Sequence, residues 1–174
     1  MEKRIFATAL LAFSYITVLA QASSPETRLQ ELEITLAQSN APIANYVSAV
    51  RTGNLIYLAG HLPKRQDGSL VIGKLGKDLN TREGHQAAQL TAIALINTLK
   101  SELGELDRVK RIIKVSGMVN ATQDYTEHSN VINGCSDLLV KVFGEKGRHA
   151  RIACGYSSLP LGAAVEIDLI VEVE

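Results

Sequence analysis

Apolar residues recur along this chain with two different periods, and the switches between them mark its elements. From Ala164 to Val173 the odd positions Val165, Ile167, Leu169, Val171 and Val173 are apolar, while Glu166, Asp168, Ile170 and Glu172 alternate with them. A period of two with one apolar side predicts a strand laid on a core. Ala150 to Tyr156 reads as another strand, with Ile152, Cys154 and Tyr156 on one side and Arg151, Ala153 and Gly155 on the other. The turn-like Ser157-Ser158-Leu159-Pro160-Leu161-Gly162 joins the two as a final strand pair. Asn45 to Arg51 and Asn54 to Gly60 predict a hairpin around Thr52-Gly53, and Val109 to Val119 a further strand of mixed apolar and basic character. In the second hairpin strand, Leu55 to Ala59 is apolar on both sides, which predicts a central strand covered on both.

Three windows carry the helical period instead. Ser24-Pro25-Glu26 is a helix start, with a cap, a proline in the first turn and an acid near the positive end. Leu29, Leu32 and Leu36 extend it over Pro25 to Gln38, where Ser39-Asn40-Ala41-Pro42 stops it. Thr81 to Leu103 predicts a long helix with Ala88, Ala92, Leu95 and Leu99 on its buried stripe and Gly104 as its stop. Ser129 opens another, with Val131, Ile132, Cys135, Leu138, Leu139 and Val142 on one face and Gly144 at its end. Leu62 to Asn80 is loop-like, with a strand piece at Leu70 to Ile72. The order helix, β-β, helix, β, helix, β-β gives an α+β sandwich, one mixed sheet with two helices on one face and the other face bare.

Composition refines this picture. The chain has 174 residues, 46% apolar and 21% charged, which suits one globular domain with a real core. Lys and Arg number 18, as do Asp and Glu, so overall charge makes no case for nucleic acid or an anionic membrane as partner. Met1 to Arg4 is a short basic start, Ile5 to Ala20 an apolar run, and Ala20-Gln21-Ala22 a small-residue cleavage signal. The run is shorter than the ~20 apolar residues of a membrane span, so it reads as a cleaved export signal, with an uncleaved anchor as the alternative. Residues 1–22 are then a signal peptide, 23–44 the first helix and a linker, and 45–174 the main domain. Removing the signal takes away Glu2, Lys3 and Arg4 and leaves an exported, periplasmic or secreted protein one negative charge from neutrality. Export permits a disulfide between Cys135 and Cys154, but two cysteines on apolar faces are equally two buried thiols.

Several chemistries are excluded by spacing. His61, His85, His128 and His149 show no ligand spacing, which argues against a metal, and no glycine-rich phosphate loop or nucleophile elbow occurs. Arg108, Lys110, Arg111 and Lys114 are dispersed among Val and Ile without aromatic interleaving, a solvated strand edge more than an RNA track. Arg151 and Glu166 stand near the starts of the last two strands, each on the less apolar face. That is an address for a small anion and a water if something covers the face, or else a surface ion pair of little worth. Ala153, Gly155 and Ile170 are small or apolar enough to accept a second subunit there.

Asn45-Tyr46-Val47, Leu58-Ala59-Gly60-His61-Leu62-Pro63, Ala150-Arg151, Leu159-Pro160 and Val165-Glu166-Ile167 together resemble the RidA family, also called YjgF or L-PSP. The glycine-rich loop, Val131-Ile132-Asn133-Gly134 and Phe143-Gly144-Glu145 resemble its longer branch. The resemblance spans about residues 29–173. It implies a chorismate-mutase-like fold assembled as a homotrimer, with bare sheet faces lining the centre and active sites in the clefts between subunits. The implied activity is hydrolysis of reactive 2-imino (enamine) acids to 2-keto acids and ammonia, with no metal or cofactor. Arg151 would take the substrate carboxylate in a bidentate fork, Glu166 would orient and deprotonate the water, and Tyr46 would close the pocket. Gly60 would supply a loop backbone donor, and Asn133 is similar to an asparagine at the subunit cleft, one residue off the spacing of better-known members. Where many active members have cysteine two residues after the arginine, this chain has Ala153. A backbone role there survives the change and a thiol role does not. Imino acids arise mostly in the cytosol, so export leaves room for another substrate, or none. The competing readings are a binding module for a small carboxylate such as a 2-keto acid and, third, an endoribonuclease.

Overall fold

The computed structural model describes residues 23–36 and 46–174; the expected export signal (residues 1–22), the linker positions 37–44 and Asn45 lie outside the described residues. The elements are α1 (Pro25–Glu31), β1 (Ala49–Thr52), β2 (Leu55–His61), α2 (Thr81–Leu103), β3 (Val109–Asn120), α3 (His128–Phe143), β4 (Ala150–Tyr156) and β5 (Val165–Val173). The strands form one mixed sheet in the order β1-β2-β5-β3-β4. Only β4 runs parallel to its neighbour β3; every other pair is antiparallel. A parallel pair needs a crossover, which α3 supplies between β3 and β4. The last two strands are therefore not partners, as their closeness in sequence suggested, because β3 lies between them.

Local chemistry explains where the helices begin and end. The Asn80 side chain accepts from the Glu83 N–H at 3.0 Å, and the Glu83 carboxylate accepts from the Asn80 N–H at 2.8 Å, a capping box at the head of α2. Gly104, with φ 76, ends that helix. α1 stops at Glu31, not Gln38. Glu33 takes a left-handed conformation (φ 57), its N–H reaches the Gln30 carbonyl, and the Ile34 N–H reaches Leu29, each at 2.9 Å. This is a Schellman motif without its usual glycine, sealed by Leu29 and Ile34 on the core. Arg28 then donates to the Val142 carbonyl at 3.2 Å and so ties α1 to the end of α3.

The core lies between the sheet and the helices. All four apolar positions expected on α2 are fully buried, as are Val131, Ile132, Cys135 and Leu139 of α3. A Cβ on Gly117 of β3 would sit 2.6 Å from Ile132, so only glycine lets α3 lie this low on the sheet. On β5 the odd residues are completely buried and the even ones half-buried, which turns the odd side to the helices and leaves the even side uncovered. β2 is an interior strand, as its double apolarity suggested, with Ile56 and Leu58 buried and Tyr57 left 43% exposed on the uncovered side. β3 pairs with β4 only from Lys114 onward, so the basic residues before it flank a free edge. Leu70 and Ile72 form isolated bridges to Lys64 and Ala163 in place of a full strand. Both cysteines are free. Cys135 is buried in α3, with its thiol pushed up to about 12 by burial, while Cys154 is half-buried on β4.

Candidate functional site

Arg151 lies on β4, an edge strand, opposite Val115 of β3. Val115 in turn faces Leu169 of β5, a residue of the helix-covered side. Arg151 shares that side, and its Nη1 donates to Asn133 Oδ1 at 2.8 Å and to Ser136 Oγ at 3.0 Å, both on α3. Ser136 Oγ is also 3.0 Å from Nε2 of His149, whose Nδ1 is 2.6 Å from the Gly147 carbonyl. Burial holds the His149 pKa below its ordinary value, and the Arg151 charge acts in the same direction. Ala153, two residues on, packs against the core from the same side.

Glu166 opens β5 in a row with Met118 and Cys154, on the uncovered face. Burial pushes its carboxyl above the usual carboxylate range, and the neighbouring Asp168 adds to the shift. Gly60 stands against it: a Cβ there would fall 2.2 Å from Glu166 Oε1. The β2–β5 register slips between Leu58 and His61, and this bulge aims Gly60 at the carboxylate. His61 holds the bulge in place, with Nδ1 2.7 Å from the Ala59 carbonyl and Nε2 2.7 Å from Thr98 Oγ1 on α2. Burial lowers the His61 pKa and favours the neutral ring, in which Nδ1–H donates to the carbonyl and Nε2 accepts from the hydroxyl.

The expected residues thus fall into two groups. Arg151, Asn133 and Ala153 stand together at the β4 edge; Glu166 and Gly60 stand together on the uncovered face. The expectation that Arg151, Ala153 and Gly155 share a face with Glu166 and Ile170 is overturned. Residues in one cross-strand row point the same way, and Arg151 is in row with Leu169, whereas Glu166 is in row with Met118 and Cys154. Tyr46 is 60% exposed just ahead of the hairpin, and among the described residues its side chain makes no hydrogen bond to either group. Ser136 and Asp168 have no site role in the sequence reading, and His61 and His149 are weighed there only as metal ligands, His61 also standing in the family-like motif. His149 carried a usable signal, since it precedes Arg151 by two residues. Asn133 and Ser136 carried another, as a polar pair at i, i+3 beside the apolar face of α3.

Among the described residues no cluster of three or more His, Cys, Asp or Glu is placed to hold a metal ion, and no helix is long and apolar enough to cross a membrane. The arrangement offers a guanidinium aimed from a sheet edge and, on the opposite side of the sheet, a carboxylate of raised pKa beside a glycine backbone.

Comparison with known proteins places this geometry. Residues 26–173 match a family profile described as "YjgF/chorismate_mutase-like, putative endoribonuclease". Protein TCP17 of Trypanosoma cruzi is 47% identical over 146 residues, 83% of this chain and 91% of that protein. The crystal structure of Atu1372 from Agrobacterium tumefaciens, described as of unknown function, superposes with a TM-score of 0.80 at 42% identity, covering 86% of this chain and 94% of that one. A Shewanella oneidensis structure described as "a putative endoribonuclease" gives 0.83 at 34% identity, covering 87% and 100%. A profile match over nearly all described residues, a five-stranded mixed sheet under two helices, and relatives of this identity make the chain a member of the YjgF (RidA, L-PSP) family with its chorismate-mutase-like fold.

Proposed function

We propose that the protein hydrolyses 2-imino acids to 2-keto acids and ammonia in a cleft between two protomers of a homotrimer, with Arg151 supplied by one protomer and Glu166 by the next. The observation that carries this reading is the splitting of the site into two halves on opposite sides of one sheet. A closed ring of subunits sets one protomer's β4 edge against the uncovered face of its neighbour. Arg151 then takes the substrate carboxylate and holds the imine carbon within reach of a water, which is catalysis by positioning. Glu166 removes a proton from that water as its oxygen adds to the C=N carbon, and the proton passes to nitrogen. The carbinolamine collapses to the keto acid as its C–N bond breaks and ammonia leaves. A base of raised pKa is better matched to neutral pH than an ordinary carboxylate.

The test generates imino acids in place with an amino-acid oxidase and follows their capture by semicarbazide. The proposal expects the protein to deplete the imine ahead of the trap, and an intact protein that leaves semicarbazone formation unchanged for every imino acid tried contradicts it. In that case a 2-keto acid that still raises the melting temperature, by mass action on the folded state, makes the protein a carboxylate-binding module. Gly60→Ala is a finer check. The added methyl meets the far end of a flexible side chain, so the melting temperature should barely move. The Glu166 carboxylate is displaced, and turnover should fall by roughly 10- to 100-fold.

The description of the Shewanella relative favours ribonuclease activity as the second reading. The balanced charge of this chain and its dispersed basic residues weigh against it. RNA left intact under conditions that support imine hydrolysis would eliminate it.

A further inference from the structure

We infer that Ser136 and His149 are positioning residues that clamp the Arg151 guanidinium through Nη1, so that its Nε–Nη2 edge alone is presented to the substrate carboxylate. This rests on the reading of Arg151 as the carboxylate receiver. With the His149 ring neutral the hydrogen bonds have one consistent polarity. The Gly147 carbonyl accepts and cannot donate, so the His149 Nδ1 at 2.6 Å must carry its proton. In a neutral ring Nε2 is then an acceptor, and the Ser136 hydroxyl must donate to it at 3.0 Å. The Ser136 oxygen is left to accept from Arg151 Nη1, and Asn133 Oδ1 takes the second Nη1 hydrogen. Both hydrogens of Nη1 are committed. Nε and Nη2 have no protein acceptor among the described residues, and their parallel N–H bonds form a fork of the spacing a carboxylate fills.

The clamp has a built-in dependence on the charge of His149. Protonating Nε2 turns it into a donor, expels the serine proton from its place, and sets a second cation across one hydroxyl from Arg151. The other charged groups near the ring are engaged elsewhere or neutral. Asp137 of α3 leans toward His85 at 3.8 Å, Glu145 of the preceding turn pairs with Arg148 at 3.0 Å, and Lys146 reaches the Asp107 carbonyl at 3.5 Å. Lys141 is solvated at the end of α3, Lys114 of β3 lies on the uncovered face, and Cys135 keeps its proton. Arg151 is therefore the charge that answers His149, and the lowered pKa of the ring keeps the clamp closed at neutral pH.

The experiment titrates the assembled protein with pyruvate, as a 2-keto acid, by calorimetry from neutral to acid pH, and reads the His149 ring by nitrogen NMR. Wild type should show the Nδ1–H tautomer and should lose affinity as His149 becomes protonated. Ser136→Ala removes a hydrogen bond to a charged group and should weaken pyruvate binding roughly 10-fold or more. In turnover the loss should appear in KM with kcat largely kept. Ser136→Thr, which restores the hydroxyl, should recover the affinity. Alanine suits a helix interior, so loss of fold does not confuse the result. An Nε2–H tautomer, or Ser136→Ala binding pyruvate as wild type does, overturns the clamp while leaving Arg151 as receiver. Wild type that binds no 2-keto acid overturns the reading of Arg151 itself, and the clamp's role with it.

Discussion

Arg151→Ala is expected to lower kcat/KM for imino-acid hydrolysis by roughly 30- to several-thousand-fold, the equivalent of the ~2–5 kcal/mol lost when one partner of a close charge pair is truncated. The loss should be severe because the guanidinium both binds the carboxylate and fixes the distance between the imine carbon and the water. Arg151→Lys should recover little. An ammonium is a compact point charge without the fork, and it cannot answer Asn133, Ser136 and a carboxylate in the planar geometry that Nη1, Nη2 and Nε provide. The fold should survive either change, because Arg151 lies on an edge strand and its partners on α3 are half-buried. Steady-state kinetics beside a thermal melt would separate the two effects.

Glu166→Gln should cost roughly 10²- to 10⁴-fold in kcat, the usual worth of a positioned general base. The glutamine keeps the shape and the contact with Gly60 but cannot take a proton from water. The pH dependence gives the sharper signature. Burial and Asp168 hold the Glu166 carboxyl above the usual range, and only its ionised form acts as a base. The wild-type kcat should therefore rise with pH through an apparent pKa above that of an ordinary glutamate. The profile of kcat reports the substrate complex, in which the bound carboxylate answers the Arg151 charge. In Glu166→Gln the same limb should be absent. A limb that persists in the glutamine variant would assign the base to another group.

The elements were legible in the sequence to the extent that a single periodicity decided them. α2 runs from Thr81 to Leu103 as its stripe and Gly104 imply, and β5 shows the alternation its odd and even positions spell out. α1 was read too long because Glu33, not a glycine, adopts the left-handed conformation that ends it. The placement of the site was harder to read. Period two assigns each residue to one of two faces of its own strand, but it carries no phase between strands. Whether Arg151 shares a side with Glu166 or with Leu169 depends on the register through β3, and that register is set by packing across the core. The insertion of β3 between the last two strands hid it. The Ser136–His149 pair was missed for a related reason: Ser136 on α3 and His149 ahead of β4 are 13 positions apart and meet only when β4 is laid beneath the helix.

The most direct test of the account is a subunit-mixing experiment. Arg151→Ala and Glu166→Gln chains, each nearly inactive alone, are unfolded together in equal amounts and reassembled. If each cleft takes its arginine from one protomer and its glutamate from the next, random mixing leaves about one cleft in four with both native residues. Activity should then return to roughly a quarter of the wild-type value. Mixed assemblies that stay as inactive as the separate variants would mean that Arg151 and Glu166 do not meet across a subunit boundary, and the divided site proposed for this protein would be wrong.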